Sequence, residues 1–152
     1  MELANFLIDA TQEVFASMIG IDIAVASVSA DRPESVEPQL SSLIGLAGDW
    51  KGLLAVHCPA PVALAVTSAM LGMEVTEIDG DVKDAIGEVA NMIAGGLKVS
   101  LTTSNTKIEL AIPTTIVGTS IRTSGLTGAK KTAVVFSTSA GRFVVDLRFV
   151  TA

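Results

Sequence analysis

Cysteine, histidine and aromatic residues are scarce in this sequence, and each shortage excludes a class of structure. The 152 residues include one cysteine, Cys58, so no disulfide can form within the chain. They include one histidine, His57, which excludes a zinc site built from clustered histidines and cysteines. Aromatic residues make up only 4% of the chain, which leaves Val, Ile, Leu and Ala to build the core. Because a single cysteine suits a reducing compartment, we expect a cytoplasmic protein.

Charged residues are also few, and those present are mainly acidic. They make up 17% of the chain and give a net charge of -6. The ten lysines and arginines are scattered, whereas a protein that binds nucleic acid needs clustered cations to displace counterions from phosphates. We therefore expect no nucleic-acid partner.

We identify no segment as a signal peptide or a membrane span. Residues 1–15 carry three acidic side chains and no basic cluster of the kind that opens a secretory signal. Residues 52–73 lack charge over a length that could cross a bilayer, but Pro59 and Pro61 interrupt them. A strand, a turn and a short helix account better for this run, so we expect no membrane association.

Hydrophobic residues, by contrast, are abundant for a chain of this length. They make up 49% of the sequence, and 152 residues suffice for one domain, residues 1–152, with a substantial core. Because monomers rarely expose large apolar patches, this composition favours an oligomer.

The spacing of hydrophobic residues predicts helices and strands that alternate along the chain. Three helices are expected: one from Leu3 to about Gly20, one from Pro61 to Leu71, and a central one capped by Asp79 or Asp81 that ends near Ser100. Seven segments have the composition of strands: Ile21–Val28, Ser42–Ala47, Gly52–Cys58, Ile108–Ile112, Thr114–Thr119, Thr132–Thr138 and Phe143–Val150. The predicted fold class is α/β (α+β), with a mainly antiparallel sheet packed against helices.

The central helix carries the most informative pattern in the sequence. At about 100° per residue, Asp84, Glu88, Asn91 and Gly95 share one narrow stripe. The opposite side is apolar, as expected of a core-facing stripe: Val82, Ile86, Val89, Ile93 and Leu97. The helix is therefore predicted to present a carboxylate and a carboxamide, one turn apart, on its outer face. Gly95 leaves open space beside the amide, and we infer that it allows a partner to approach closely.

An ordinary solvated face is the alternative explanation of this stripe, and two features argue against it. Asp84 and Glu88 are like charges at positions i and i+4, an arrangement that costs a few tenths of a kcal/mol. Asn91 is a poor residue for the middle of a helix, because its amide competes for backbone hydrogen bonds. A hypothesis of function follows for Glu88 and Asn91. The neighbouring Gly95 and Gly96 favour a bend or an end of the helix at that point.

Acidic residues also surround the start of the central helix. Glu74, Glu77, Asp79 and Asp81 precede Asp84 and Glu88, with only Lys83 to offset them. Such a surface attracts a partner with exposed lysines or arginines, so we assign Asp84 to partner binding. The spacing of the carboxylates does not match a calcium-binding loop, and no metal site is expected.

His57 and Cys58 form the other conspicuous pair of reactive side chains. Adjacent residues of a strand point to opposite faces, so the two cannot act together as a nucleophile and its base. We expect one of them to lie in the core.

The stripe, together with a proline further along the chain, resembles the CheC/CheX/FliY family of phosphatases, and its CheX branch in particular. The family motif is an acidic residue or serine, three residues, glutamate, two residues, asparagine, and a proline about 22 positions on. Here these positions are Asp84, Glu88, Asn91 and Pro113. The wider resemblance extends over five segments of the chain: Phe6–Thr11, Leu43–Leu46, Met70–Gly72, Val82–Glu88 and Ala111–Pro113.

The resemblance implies an activity and a division of labour between two proteins. Members dephosphorylate the chemotaxis response regulator CheY, which contributes the aspartyl phosphate, Mg²⁺ and a lysine, so no cofactor of this chain's own is expected. Asn91 would orient the hydrolytic water, and Glu88 would pair with the lysine. Residues 62–71 lack a second Glu-x-x-Asn element, so a single site and a homodimer formed by sheet extension are implied, as in CheX-like members.

Two other functions remain open on the sequence alone. A non-catalytic adaptor could use the same acidic face to bind a response regulator or another signalling partner without hydrolysis. A purely structural dimer within a flagellar or signalling assembly would bind no phosphorylated receiver domain at all.

Overall fold

An antiparallel sheet organises the fold, as a computed structural model shows for residues 3–31, 37–118 and 128–151. Its strands are β1 (Ala24–Ser29), β2 (Leu40–Gly48), β3 (Trp50–Cys58), β4 (Ile108–Leu110), β5 (Thr114–Val117), β6 (Lys130–Thr138) and β7 (Gly141–Thr151). The order across the sheet is β1-β6-β7-β3-β2-β4, and β5 pairs with β2 as well. Strand β2 therefore supports two short strands along one edge, with β5 on Leu40–Leu43 and β4 on Leu46–Gly48.

Three α-helices accompany the sheet in the described part of the chain: α1 (Leu3–Val14), α2 (Ala60–Leu71) and α3 (Gly80–Thr103). A π-helical turn, Phe15–Ile19, extends α1 and ends at Gly20, whose φ of 80° suits glycine. Asp79 caps α3, because its carboxylate accepts a hydrogen bond of 3.2 Å from the backbone N–H of Val82. Of the two caps that the sequence predicts, the structure uses Asp79.

The core lies between the helices and one face of the sheet. Every second residue of these strands faces the core. The pairing registers place core-facing side chains of neighbouring strands side by side, as for Ile44 with Leu54 and Val56 with Val145. Three aromatic rings stack there, with centroids 5.0 Å apart for Phe15 and Phe143 and 5.2 Å for Phe143 and Phe136. The predicted apolar stripe of α3 is buried against this core.

The structure confirms the predicted fold class, with some differences in the elements. The predicted strand Ile21–Val28 begins only at Ala24, and the six residues of the observed strand β1, at the sheet edge, are all exposed. Strand β4 ends at Leu110 rather than Ile112, and β5 ends at Val117. The predicted end of the latter strand, Thr119, lies outside the described residues.

The expectation that the helix ends at Gly95 and Gly96 is wrong. Helix α3 continues as an α-helix to Thr103, beyond the predicted end near Ser100. Gly96 has a packing role instead, since a Cβ at this position would lie 3.2 Å from the Cβ of Ala10. The missing side chain lets α1 approach α3 closely, and this packing compensates for the poor helix propensity of glycine.

The uncharged run of residues 52–73 divides between a strand and a helix, as predicted. Most of β3 and all of α2 lie within it, and Pro59 is the N-cap of α2. Among the helices that the structure describes, none is both long and apolar enough to cross a membrane.

Candidate functional site

The outer face of α3 presents the predicted stripe. Asp84, Glu88 and Asn91 are exposed, Gly95 is half-buried, and the opposite side of the helix is buried in the core. The structure thus brings the four predicted site residues onto one accessible surface. The carboxylate of Glu88 and the amide of Asn91 are three residues apart, a spacing at which side chains on a helix are neighbours.

Glycine at position 87 brings α3 close to the sheet immediately before Glu88. A Cβ on Gly87 would lie 3.2 Å from Oγ1 of Thr115 and 3.9 Å from Oγ of Ser42. The Thr115 hydroxyl donates a hydrogen bond of 3.1 Å to Ser42, which joins β5 to β2 under the helix. The height of Glu88 above the sheet therefore depends on the absence of a side chain at Gly87.

Gly87 was not identified from the sequence as a site residue, although a signal was available. Glycine inside a helix costs about 1 kcal/mol relative to alanine, so a glycine directly before Glu88 calls for a packing reason. The partners that give the reason, Thr115 and Ser42, are 28 and 45 residues away along the chain, and no local pattern reveals them.

The proline of the motif is part of the same contact. The Cβ of Pro113 lies 4.0 Å from the position that a Cβ of Gly87 would occupy. The connection between β4 and β5 is fixed there, because the N–H of Ala111 donates a hydrogen bond of 3.0 Å to the carbonyl of Gly45. The 22 positions between Asn91 and Pro113 thus allow the chain to return to the side of α3.

Open space surrounds Gly95, as the sequence predicts. A Cβ at this position would have no heavy atom within 4 Å, apart from the helix's own nearby backbone. In contrast to Gly87 and Gly96, this glycine has no packing role within the described structure. Its function in partner approach stays a prediction.

The carboxylates of the stripe are not neutralised within the described structure. The ion pairs among described residues are Lys98 with Glu109, and Asp31 with Lys131 and Arg148, while His57 is hydrogen-bonded to Asp146. Asp84 and Glu88 take part in none of them. The exposed residues Glu74, Glu77 and Asp81 lie in the segment that leads into the helix and its first turn. This end of α3 is therefore an acidic surface able to attract a cationic partner.

No group of three or more histidine, cysteine, aspartate or glutamate side chains in residues 3–31, 37–118 and 128–151 could hold a metal ion. The acidic residues around the start of α3 are close in sequence, but their side chains do not converge on one point.

A second polar cluster lies inside the sheet. His57 joins two neighbouring strands, with Nδ1 2.7 Å from Oγ of Ser41 on β2 and Nε2 2.9 Å from Oδ2 of Asp146 on β7. The exposed fractions of Ser41, His57 and Asp146 are 0%, 3% and 5%. The three residues include the components of a hydrolytic triad, but a substrate has no access to them, and the serine lies at Nδ1 instead of Nε2. They satisfy one another's hydrogen bonds in the interior.

The expectation that one of His57 and Cys58 lies in the core is confirmed, because Cys58 belongs to the main core; His57 is buried as well. Cys58 packs in the main core on the helix-covered face, and His57 lies on the opposite face, where the centre of the sheet is also covered. Burial raises the pKa of the Cys58 thiol from 9.0 to about 12, so the thiol is neutral and unreactive at ordinary pH.

The chain is an α/β domain in which an exposed face of α3, a helix packed against an antiparallel sheet, carries Glu88 and Asn91. The family described as "Chemotaxis phosphatase CheX" matches residues 40–137, which include the whole stripe and Pro113. This chain belongs to that family.

Individual relatives agree with this assignment. The CheY-P phosphatase CheX of Thermotoga maritima is 30% identical over 121 residues, 79% of this chain and 78% of the relative. The crystal structure of the chemotaxis protein CheX from Desulfovibrio desulfuricans is 30% identical, with a TM-score of 0.87 over 99% of this chain and 100% of that one. The CheX of a CheX–CheY–BeF₃–Mg²⁺ complex from Borrelia burgdorferi shares the fold, with a TM-score of 0.82 over 97% of both chains at 22% identity.

Proposed function

We propose that this chain hydrolyses the aspartyl phosphate of a CheY-type response regulator. The observation that carries the proposal is the exposed pair Glu88 and Asn91 on the outer face of α3, held in place by the buried opposite face. Membership in the CheX family supports the substrate class, since the Thermotoga maritima relative is a CheY-P phosphatase.

Asn91 is the residue proposed to act on the reacting water. Its amide has both a donor and an acceptor, so it can hold a water molecule in line with phosphorus without adding charge beside the phosphate. The water attacks phosphorus, the bond from phosphorus to the aspartate oxygen breaks, and inorganic phosphate leaves with the carboxylate restored. Positioning of this kind supplies most of what a protein contributes to phosphoryl transfer.

Glu88 and Asp84 are proposed to dock the partner. Both are exposed and without an ion pair among the described residues, so Glu88 is available to the lysine of the receiver's active site. Gly95 admits the receiver surface close to the helix, since nothing in the structure occupies the space beside it. The receiver brings Mg²⁺, which offsets phosphoryl charge, and this chain supplies no cofactor of its own.

We further propose a homodimer that forms by sheet extension, in the cytoplasm where response regulators act. Strand β1 supports the pairing, because it lies at the edge of the sheet with its six residues exposed, including Val25 and Val28. Light scattering at micromolar concentration tests the dimer, and a clean monomer would contradict it.

The decay of a phosphorylated CheY-type receiver domain, with and without this protein, tests the activity. We expect acceleration by the wild type, a loss of about 100-fold in Asn91→Ala with binding kept, and weaker binding and turnover in Glu88→Ala. Asn5→Ala and Glu13→Ala are matched controls, because they remove an exposed amide and an exposed carboxylate from α1.

Three outcomes separate the possible functions. Unchanged turnover in Asn91→Ala would contradict the mechanism. Phosphorylation-dependent binding without acceleration would indicate an adaptor, and the absence of both would favour the structural dimer.

A further inference from the structure

The polar stripe of α3 continues beyond Gly95 into an exposed apolar residue. Val99 follows Gly95 by four residues, so the turn of about 100° per residue places it on the same side of the helix as Glu88. Its exposed fraction is 68%. The neighbouring Lys98 extends towards β4, where its Nζ lies 3.7 Å from Oε2 of Glu109, and this leaves Val99 uncovered.

A second exposed apolar residue lies on the connection between β4 and β5, which approaches α3 beside Glu88. Ile112 has an exposed fraction of 88%, the highest among the exposed large hydrophobic residues in the described part of the chain. It precedes Pro113, whose Cβ is 4.0 Å from the Cβ position of Gly87, the residue before Glu88. The hydrogen bond from Ala111 to Gly45 and the fixed φ of Pro113 hold Ile112 on a short, constrained connection.

Isolated apolar residues are common on protein surfaces, but Val99 lies on the stripe itself, and Ile112 is next to Pro113, which approaches Gly87 beside Glu88. We propose that the receiver domain covers the stripe along its whole length and uses Val99 and Ile112 as apolar contacts flanking Glu88 and Asn91. This inference rests on the proposed function. The carboxylates of Asp84 and Glu88, which form no ion pair among the described residues, favour a partner that presents a cation to that end of the stripe. The stripe runs without interruption from these carboxylates to Val99, so one partner surface can contact both.

The geometry defines what the receiver must present. Val99 is eight residues beyond Asn91, so it lies about 12 Å from Asn91 along the helix axis. A suitable receiver therefore has an apolar side chain at about that distance from its phosphorylated aspartate, and a cation beside the phosphate. Contacts of this kind also exclude water from the polar groups at the centre of an interface. Receivers that carry a charge at the apolar position would be rejected.

Affinity and turnover of the variants Val99→Ser and Ile112→Ser test the inference. The probes are the CheY-type receiver domains encoded by the same organism, loaded with beryllium fluoride and Mg²⁺ for binding and phosphorylated for turnover. We expect Kd and KM to rise about fivefold in each variant, and about 25-fold in the double variant, while kcat stays within twofold.

Met18→Ser is the matched control. Met18 is also an exposed apolar residue, with an exposed fraction of 62%, but it lies on the π-helical turn, which contacts α1 and α2, and not on the stripe of α3. Serine and valine have similar helix propensities, so Val99→Ser should not weaken α3, and unfolding midpoints check this. Val99→Leu, which keeps an apolar contact, should retain the wild-type Kd.

The failure of this inference is distinguishable from failure of the proposed function. If the wild type binds and dephosphorylates a receiver but Val99→Ser and Ile112→Ser have unchanged Kd, the apolar contacts are wrong and the activity stands. If the variants change only the oligomeric state, the patch is a contact between copies, which also overturns the inference. If the wild type neither binds nor accelerates decay with any receiver, the proposed function itself is wrong.

Discussion

Two polar clusters in this protein are built from similar chemistry and have opposite surroundings. On α3, Glu88 and Asn91 face outward, and Glu88 has no ion pair within the described structure. Inside the sheet, Ser41, His57 and Asp146 are buried and bonded to one another. The cluster with the more familiar catalytic composition is the one that a substrate cannot reach. Free hydrogen-bonding capacity and access, rather than residue type, distinguish the site proposed to act on a partner from the cluster that is closed to one.

The burial of the core on the other face of the same strand can be tested at Cys58, the neighbour of His57. Because burial raises the pKa of its thiol from 9.0 to about 12, the fraction of thiolate at pH 8 falls about a thousandfold below that of a free cysteine. We expect iodoacetamide to modify Cys58 at least that much more slowly in the folded protein than in urea. Mass spectrometry of timed samples gives both rates. Rapid labelling of the folded protein would show that the helix-covered core is accessible.

Removing a buried partner should affect stability and leave catalysis intact. Asp146→Ala leaves His57 without the hydrogen-bond partner 2.9 Å from its Nε2, and we expect the free energy of unfolding to fall by about 2 kcal/mol. Urea denaturation measures this change, and Asp22→Ala, which removes an exposed carboxylate, should alter it by less than about 0.5 kcal/mol.

The same variant separates the two clusters functionally. At a temperature where Asp146→Ala is folded, its rate of receiver dephosphorylation should match that of the wild type. A loss of turnover as large as that of Asn91→Ala would mean that the buried cluster takes part in catalysis.

The smallest expected effect concerns two glycines of α3 in different surroundings. Alanine at Gly95 meets open space, so Gly95→Ala should raise the free energy of unfolding by up to about 1 kcal/mol while it weakens receiver binding. Alanine at Gly87 meets Oγ1 of Thr115 at 3.2 Å, so Gly87→Ala should gain less stability and shift the position of Glu88.

Urea denaturation and receiver titration of both variants provide the measurement. If Gly95→Ala binds the receiver like the wild type, the close approach proposed at Gly95 is wrong.

The sequence predicts features that depend on neighbours within one element. The outward stripe of α3, its buried opposite face and the cap at Asp79 follow from helical periodicity and local chemistry, and the structure confirms them. The hydrogen bonds of His57 were not predictable, because they require the register of three strands and a partner 89 residues away. The error at Gly96 has the same origin, since the reason for that glycine lies on α1 at Ala10.

The unequal edges of the sheet have a consequence for assembly. In the described structure one edge is the single strand β1, whose pairing with β6 shifts register between Val25 and Ser27, and the other is divided between the short strands β4 and β5. Interrupted edges are poor templates for further pairing. Two copies joined antiparallel through β1 would therefore form a closed two-fold unit whose outer margins do not recruit a third copy, instead of a growing fibre. The edge next to Glu88 would stay outside that contact, so each copy could engage its own receiver.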